Sequence, residues 1–320
     1  MKVDHCIILS AGFGTRMKSI GEIFPKPLWP IFEKSILENQ IDYARMLGAK
    51  NIYVNLHYRS QQVLQHFYDK EEYEDVHFLV ENEILDIGGA IHNMASQEAV
   101  NYKGQLLILN GDQFIYFDWS ELKKAEKLLA KSKAVMMAVK VDPRFGHAQT
   151  IMDENDCLSN IVPNKKIISK EKIYTYSGMC FVKLESLTPY HGPSSLYESV
   201  CNYKVEKIPM VKIDNYEYWD FGTLDRYWNS MFEILKEIPK KKGMFVDFLI
   251  ENKSIDLNKY DEKELSYNSN SNAINLCAKK QDLKQGQILI KNIKSIPSIA
   301  NPGVIYNDLF EEVSFNQSGL

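Results

Sequence analysis

The densest chemical signal in the chain is Leu9-Ser10-Ala11-Gly12-Phe13-Gly14-Thr15-Arg16-Met17. Its glycines let backbone N–H groups approach a phosphate or a base, and an arginine follows directly. Two familiar phosphate loops do not fit. A dinucleotide-binding G-x-G-x-x-G needs glycine where Met17 stands, and a Walker-type loop needs four residues between its glycines and Lys-Ser/Thr after the second. A plain structural turn would have no need of Arg16. Further on, Lys26 stands inside Pro25-Lys26-Pro27-Leu28, where the flanking prolines restrict the backbone and fix where the cation points. Arg16 and Lys26 together would offer a guanidinium and an ammonium to a polyphosphate; a rigid surface loop is the other reading of Pro-Lys-Pro.

Two carboxylates stand out later in the chain. Asp112 closes Leu109-Asn110-Gly111-Asp112 at the end of a very apolar run. It serves either as the cap of a Gly-Asp turn or as a ligand for a cation. Asp220 lies between Trp219 and Phe221, and a carboxylate among aromatics calls for a cation. Other polar groups have simpler readings. His57 reads as a capped loop residue, Tyr216, Tyr218 and Trp219 as packing, and the lysines at 240–242 as a solvated helix end.

These residues need a scaffold, and the hydrophobic pattern supplies one. Val3–Leu9 is a buried-strand run feeding the glycine loop. Ser35 and Glu38 have capping-box spacing, an apolar helical period follows, and Gly48 ends it. Residues 51–56 read as a strand, Ser60 opens a helix, Val76–Val80 is a strand, 88–95 a helix and 105–109 a strand. Asp118 and Glu121 again have capping-box spacing, and Ala134–Val141 is the next strand. Alternation of this kind predicts a doubly wound α/β fold with a mainly parallel sheet. Strand patterns at 148–152, 158–162 and 172–182 and helices at 194–201 and 223–237 follow. A polar stretch at 251–281 reads as a linker. The tail runs at 287–290 and 303–306 read as strands or one rung of a hexapeptide-type coil, and a single rung cannot bury itself.

Composition narrows the function classes. The chain has 320 residues, 45% of them apolar and 12% aromatic, enough for a sizeable core. A net charge of −4 disfavours nucleic acid as the main partner. The cysteines at 6, 157, 180, 201 and 277 show no C-x-x-C pair and read as reduced, mostly buried thiols. No run approaches the roughly 18 apolar residues of a membrane helix. The expectation is a cytoplasmic protein with no membrane partner.

Taken in order, the motifs resemble those of the sugar nucleotidyltransferases, the nucleotide-sugar pyrophosphorylases. The Gly12 loop with Phe24-Pro25-Lys26-Pro27-Leu28 looks like that family's signature. Glu81 with Leu85-Asp86-Ile87-Gly88-Gly89-Ala90 resembles its segment near the nucleobase. Leu109-Asn110-Gly111-Asp112 resembles its metal-binding aspartate, Phe145-Gly146 its sugar-contacting glycine, and Trp219-Asp220-Phe221-Gly222-Thr223 its second metal-binding aspartate. The resemblance spans about residues 3–236. Asn55-Leu56-His57 and Leu85-Asp86-Ile87-Gly88-Gly89 lean towards the N-acetylmuramate-1-phosphate uridylyltransferase and the hexose- or heptose-1-phosphate guanylyltransferase branch.

The resemblance implies a nucleotide-diphospho-sugar transferase fold over 1–237, with 238–320 as a C-terminal extension. It implies Mg²⁺-dependent transfer of a nucleoside monophosphate from a nucleoside triphosphate to a sugar 1-phosphate. Arg16 and Lys26 would be catalytic, and Asp112 and Asp220 would bind the metal. Leu9, Ala11, Gly12, Gly14, Thr15, Glu81, Asp86 and Gly88 would bind the nucleotide, and Gly146 and Lys165 the sugar phosphate. The expected geometry brings both cations and both carboxylates to one cleft at the sheet's edge, in a chain that could form homo-oligomers.

Three departures from the family's pattern are visible. Pro163-Asn164-Lys165-Lys166 stands where Glu-Lys-Pro is common, Ser19-Ile20-Gly21 replaces Pro-Leu-Thr, and Ile87 replaces threonine. Two other classes stay open: a glycosyltransferase, which would normally carry Asp-x-Asp where Asp112-Gln113-Phe114 stands, and a nucleotide-sugar-binding module without turnover.

Overall fold

The computed structural model describes residues 2–169, 171–240, 243–256, 274–276, 287–290, 303–306 and 309–313. The chain packs as two compact units. One comprises residues 1–12 and 43–218, the other residues 13–42 and 219–320.

The first unit is built on a seven-stranded sheet. We number its strands β1 (Val3–Leu9), β2 (Ala49–Leu56), β3 (Val76–Val80), β4 (Gln105–Asn110), β5 (Ala134–Val141), β6 (Ile173–Lys183) and β7 (Met210–Lys212). Their order across the sheet is β7-β5-β6-β4-β1-β2-β3. β6 pairs antiparallel with β4 and β5, and every other pairing is parallel. The sheet is therefore mainly parallel and doubly wound, as the alternating pattern predicts.

Burial on both faces explains the continuous apolar strands. Ile7, Leu106, Ile108, Met136, Cys180 and Val182 lie in one cluster with Ala90, Ile91 and Met94 of the helix Asp86–Ala95. The alternate residues Cys6, Ile8, Leu107 and Leu109 are buried as well. Carboxyl ends of β1, β2, β3 and β4 lie along one edge, and Leu9, Ala11, Gly12, Glu81, Asp86 and Asp112 stand at or after those ends.

Most predicted elements form, with shifts of one or two residues at their ends. The Ser35–Glu38 box closes in both directions: Glu38 accepts from the Ser35 N–H at 2.7 Å, and the Glu38 N–H donates to Ser35 Oγ at 3.2 Å. The Asp118–Glu121 box does not. The Asp118 carboxylate takes the Ser120 N–H at 2.8 Å, the helix is Ser120–Leu129, and Glu121 pairs with Lys124. A reciprocal box forms instead at Ser195 and Glu198, opening the short helix Leu196–Ser199. Two further strands, Gln113–Phe117 and Met210–Lys212, are not among the predicted elements.

In the second unit a 3-10 turn, Thr15–Met17, runs into the helix Lys18–Ile23. Trp29 is buried at the centre, edge-on to Tyr227 at 4.9 Å, and Tyr227 donates to the Pro30 carbonyl at 2.7 Å. The helix Leu224–Glu237 lays Leu224, Tyr227, Trp228, Met231, Phe232 and Leu235 into this core. Within residues 251–256, at the start of the polar stretch 251–281, Ser254 and Ile255 are buried, and Ser254 donates to Asn39 at 2.6 Å. Of the rest of that stretch only 274–276 is described.

The tail forms a four-stranded sheet of Ile274–Asn275, Gln287–Leu289, Gly303–Tyr306 and Leu309–Glu312. Ile274, Ile288 and Val304 stand in parallel register, and the last strand returns antiparallel. The two tail runs thus pair with each other and with flanking strands, which buries Ile288, Leu289, Val304 and Ile305. Cys6, Cys157, Cys180 and Cys201 are free and buried, as the scattered spacing predicts; Cys277 lies outside the described residues. Among the described residues no helix is long and apolar enough to cross a membrane.

Candidate active site

At the sheet edge of the first unit, Asn55 on β2 ties two loops together. Its Oδ1 accepts the Ser10 N–H at 2.8 Å, and its Nδ2 donates to Glu81 Oε1 at 2.8 Å. The other oxygen of Glu81 takes the Leu85 N–H at 3.3 Å, just before the helix Asp86–Ala95. Asn55 and Glu81 are both buried, so these bonds replace water and hold the Ser10–Gly12 loop and the Glu81–Asp86 turn in fixed positions. Burial pushes the Glu81 carboxyl upward, against the lowering effect of its bonds to Asn55 and Leu85. The bonds from Asn55 to Ser10 and Glu81 are not visible in the motifs. The signal available was an asparagine inside an apolar strand, since a buried amide demands partners.

The candidates around this network take different positions. The Leu9 carbonyl accepts the Gly111 N–H at 3.1 Å, so the ends of β1 and β4 are joined. Ala11 is buried and Gly12 exposed, and a methyl group at Gly12 would meet nothing within 4 Å, which leaves its backbone approachable. Asp112 follows at the end of β4, half-buried. A methyl at Gly111 would come within 2.5 Å of the Leu9 carbonyl oxygen, so that glycine is required by the close passage of the two chain segments.

Asp86 is exposed, has a left-handed backbone (φ 55°), and its carboxylate accepts the Ile87 N–H at 2.7 Å. Gly88 is buried, and a methyl there would lie 2.4 Å from the Ser195 carbonyl oxygen and 2.4 Å from Ser199 Oγ. Its lack of a side chain serves the close packing of the helix on residues 194–199, and only its backbone is left for a ligand. Gly146 and Lys165 are both exposed and come from neighbouring loops, because Asn164 Nδ2 donates to the Pro143 carbonyl at 2.9 Å. Gly146 ends the 3-10 turn Pro143–Phe145 with φ 78°, a conformation suited to glycine.

In the second unit, Gly14 has φ 66° and accepts the Met17 N–H at 2.8 Å, which folds Thr15 and Arg16 into an exposed turn. Lys26 is half-buried between buried prolines, and its Cβ lies 3.8 Å from where a methyl on Gly14 would stand, so the two cations sit on neighbouring turns. Gly21 is needed here: a methyl would come within 2.6 Å of the Gly14 carbonyl oxygen.

Asp220 is buried, and a cation does meet it. Arg226 donates to Oδ2 at 3.0 Å and the Gly222 N–H to Oδ1 at 2.7 Å, while Thr223 Oγ1 caps the helix through the Arg226 N–H. Arg226 was missed in the sequence because it lies on a helix face, six residues from its partner. Among the described residues no group of three or more His, Cys, Asp or Glu side chains is placed to hold a metal ion. Single carboxylates such as Asp112 and Asp220 suit magnesium, a hard cation commonly held by one or two carboxylates with substrate phosphates and water.

Phosphate-approachable loops at the carboxyl edge of a doubly wound sheet define a nucleotide-binding α/β protein. Comparison with known proteins narrows this. The nucleotidyl transferase family matches residues 5–237, and the chain belongs to that family, among its sugar-1-phosphate nucleotidyltransferases. It is 30% identical over 234 residues to the D-glycero-alpha-D-manno-heptose 1-phosphate guanylyltransferase of Campylobacter jejuni, covering 71% of this chain and 98% of that protein. It is 27% identical to the bifunctional protein GlmU of Methanococcus vannielii, where the match covers 74% of this chain and 56% of the relative. For a probable mannose-1-phosphate guanylyltransferase of Oryza sativa the identity is 27%, over 52% of this chain and 45% of the relative. The fold is shared with HddC of Yersinia pseudotuberculosis, solved also in complex with GMP-PN, at a TM-score of 0.61 for the first of these structures. That match has 22% identity and covers 72% of this chain and 99% of the other.

Proposed function

We propose that this protein transfers GMP from GTP to a manno-configured hexose or heptose 1-phosphate, with Mg²⁺, releasing pyrophosphate. The observation that carries the reading is the match to nearly the whole length of a heptose-1-phosphate guanylyltransferase. Arg16, Lys26, Asp112 and Asp220 supply the charges that this chemistry needs. The domain that performs it would be residues 1–237, in keeping with the family match to 5–237.

A sugar phosphate oxygen attacks the α-phosphorus as the bond to the leaving pyrophosphate breaks. Both reactants are anions, so the work of the protein is to neutralise and align them. Arg16, Thr15 and the backbone amides from Ala11 to Gly14 hold the triphosphate. Lys26 takes up charge as it moves to the pyrophosphate oxygens. Leu9, Glu81, Asp86 and the Gly88 backbone form the nucleobase side, with Glu81 braced by Asn55. Gly146 and Lys165 receive the sugar phosphate. Asp112 and Asp220 would each supply a carboxylate for Mg²⁺, which would neutralise phosphate oxygens. No protein nucleophile is needed.

The test is a matrix of four nucleoside triphosphates against a panel of sugar 1-phosphates, scored by pyrophosphate release with and without Mg²⁺. The expected result is highest turnover with GTP and mannose- or heptose-type 1-phosphates. Preference for another base overturns the guanylyl assignment. Absence of pyrophosphate with every pair overturns transfer itself and leaves the glycosyltransferase or binding-module readings.

A further inference from the structure

The short helix Lys18–Ile23 follows the Arg16 turn directly, and the C-terminal sheet holds it at both ends. At its start, Glu311 Oε1 accepts the Ser19 N–H at 3.0 Å and also the Ser19 hydroxyl. Lys18 Nζ donates to the Glu312 carbonyl at 2.6 Å. At its end, the Phe24 ring stacks on Tyr306 at 4.5 Å with 15° between the planes. Lys18 itself has φ 56°, left-handed and unfavourable for a residue with a side chain. Such a conformation persists only where surrounding contacts fix it. Here the Lys18 N–H bonds the Thr15 carbonyl, and further contacts to Lys18 and Ser19 come from residues about 290 positions further along the chain.

Six residues alone make a poor helix, since nucleation is costly and few bonds follow it. The helix Lys18–Ile23 has no side-chain cap bond at its N-cap, Met17. Its stability must come from tertiary contacts, and the Glu311 carboxylate meets the second residue of the helix. Glu311 also sits well for the local field, because an anion near a helix start is favoured. The strand Leu309–Glu312 is held in turn by its pairing to Gly303–Tyr306, and a methyl at Gly303 would come within 2.4 Å of the Glu311 carbonyl oxygen.

We propose that the C-terminal sheet, through Glu311 on Ser19, positions the Arg16 turn, so that triphosphate affinity depends on residues outside the span matched by the family. This inference rests on the reading of Arg16 as a triphosphate ligand. Glu311 is a positioning residue, acting through the backbone of residues 15–19. The dependence is selective: it affects the triphosphate and not the sugar phosphate, whose proposed ligands Gly146 and Lys165 belong to the other unit.

The experiment compares the full chain with Glu311→Ala, Glu311→Gln and Ser19→Ala. Each is titrated calorimetrically with GTP, ATP, CTP and UTP in the presence of Mg²⁺, and separately with mannose 1-phosphate. Hydrogen exchange is followed over residues 13–24, and melting temperatures are recorded. Glu311→Ala is expected to weaken the best triphosphate about tenfold, leave mannose 1-phosphate within about twofold, and speed exchange over 13–24. Glu311→Gln restores most of the affinity, because its amide oxygen accepts both Ser19 bonds. Ser19→Ala, which leaves every strand untouched, gives a change in the same direction of roughly two- to threefold.

Unchanged triphosphate affinity in both alanine variants overturns the proposal. So does equal weakening of both ligands in step with a lower melting temperature. A wild-type chain that binds triphosphate but releases no pyrophosphate defeats the transferase reading alone, and the titrations still decide the role of Glu311. One that binds no triphosphate defeats both.

Discussion

The two units hold their candidate residues by different means. At the sheet edge of the first unit, Asp112, Glu81 and the Ser10–Gly12 loop follow directly from strand ends, and hydrogen bonds through Asn55 link Glu81 to Ser10. In the second unit, Arg16 and Lys26 ride on 3-10 turns of three residues each, with a six-residue helix between them. A strand end is positioned by a ladder that the whole sheet supports. A short turn is positioned only by what packs on it, which here includes Glu311, Glu312 and Tyr306. Functional precision thus comes from the backbone framework in one unit and from a few side-chain fastenings in the other.

Substitution at one charged residue in each unit is the largest test. Asp112→Ala and Lys26→Ala should each lower pyrophosphate release by at least about 10³-fold, with circular dichroism and melting unchanged. Wild-type rates in either variant would remove that unit's residue from the mechanism. Next is Arg226→Ala, which strips the guanidinium from the buried Asp220 carboxylate. A loss of about 3 kcal/mol in denaturant unfolding is expected. If Asp220 also takes magnesium, added Mg²⁺ should raise the melting temperature of this variant more than that of wild type.

Packing in the first unit is tested by Gly88→Ala. The added methyl meets the Ser195 carbonyl and two serine hydroxyls at 2.4–2.7 Å, and a cost of about 2 kcal/mol in unfolding free energy is expected. An unaffected melting curve would show that the helix can retreat from residues 194–199.

The smallest effect concerns pH. His92 is buried, with Nδ1 3.0 Å from the Tyr102 hydroxyl, and burial lowers its pKa. The unfolded chain then binds the proton more readily than the folded one. The contribution of His92 is complete above the ordinary histidine value near 6.5 and is lost as pH falls through its lower folded value. Melting followed from pH 7 to pH 5 should show a decline that His92→Gln reduces. A decline identical in the variant would assign it to other groups, His5 among them, whose pKa burial also lowers.

Legibility in the sequence tracked the range of the interaction. The Ser35–Glu38 box was readable because both partners lie within one turn. The Asp118–Glu121 spacing was identical, yet Ser120 took the carboxylate and the helix began later, since competing local donors decide such caps. The Gly12 loop was readable as a glycine loop at a strand end, but the reason for Gly88 was not, because its neighbours Ser194, Ser195 and Ser199 come from a segment about a hundred residues away.

The sequence by itself determined the alternation of strands and helices, the placing of glycine loops at strand ends, and the order of charged motifs that marks the family. Hydrophobic period and turn chemistry act over a few residues, and so they are written locally. Only the tertiary structure decided that Asn55 would brace Glu81, that Arg226 would meet Asp220, and that a C-terminal strand would fasten the helix behind Arg16. Those bonds join groups that are distant along the chain or on separate elements, and their geometry exists only once burial has brought the elements together.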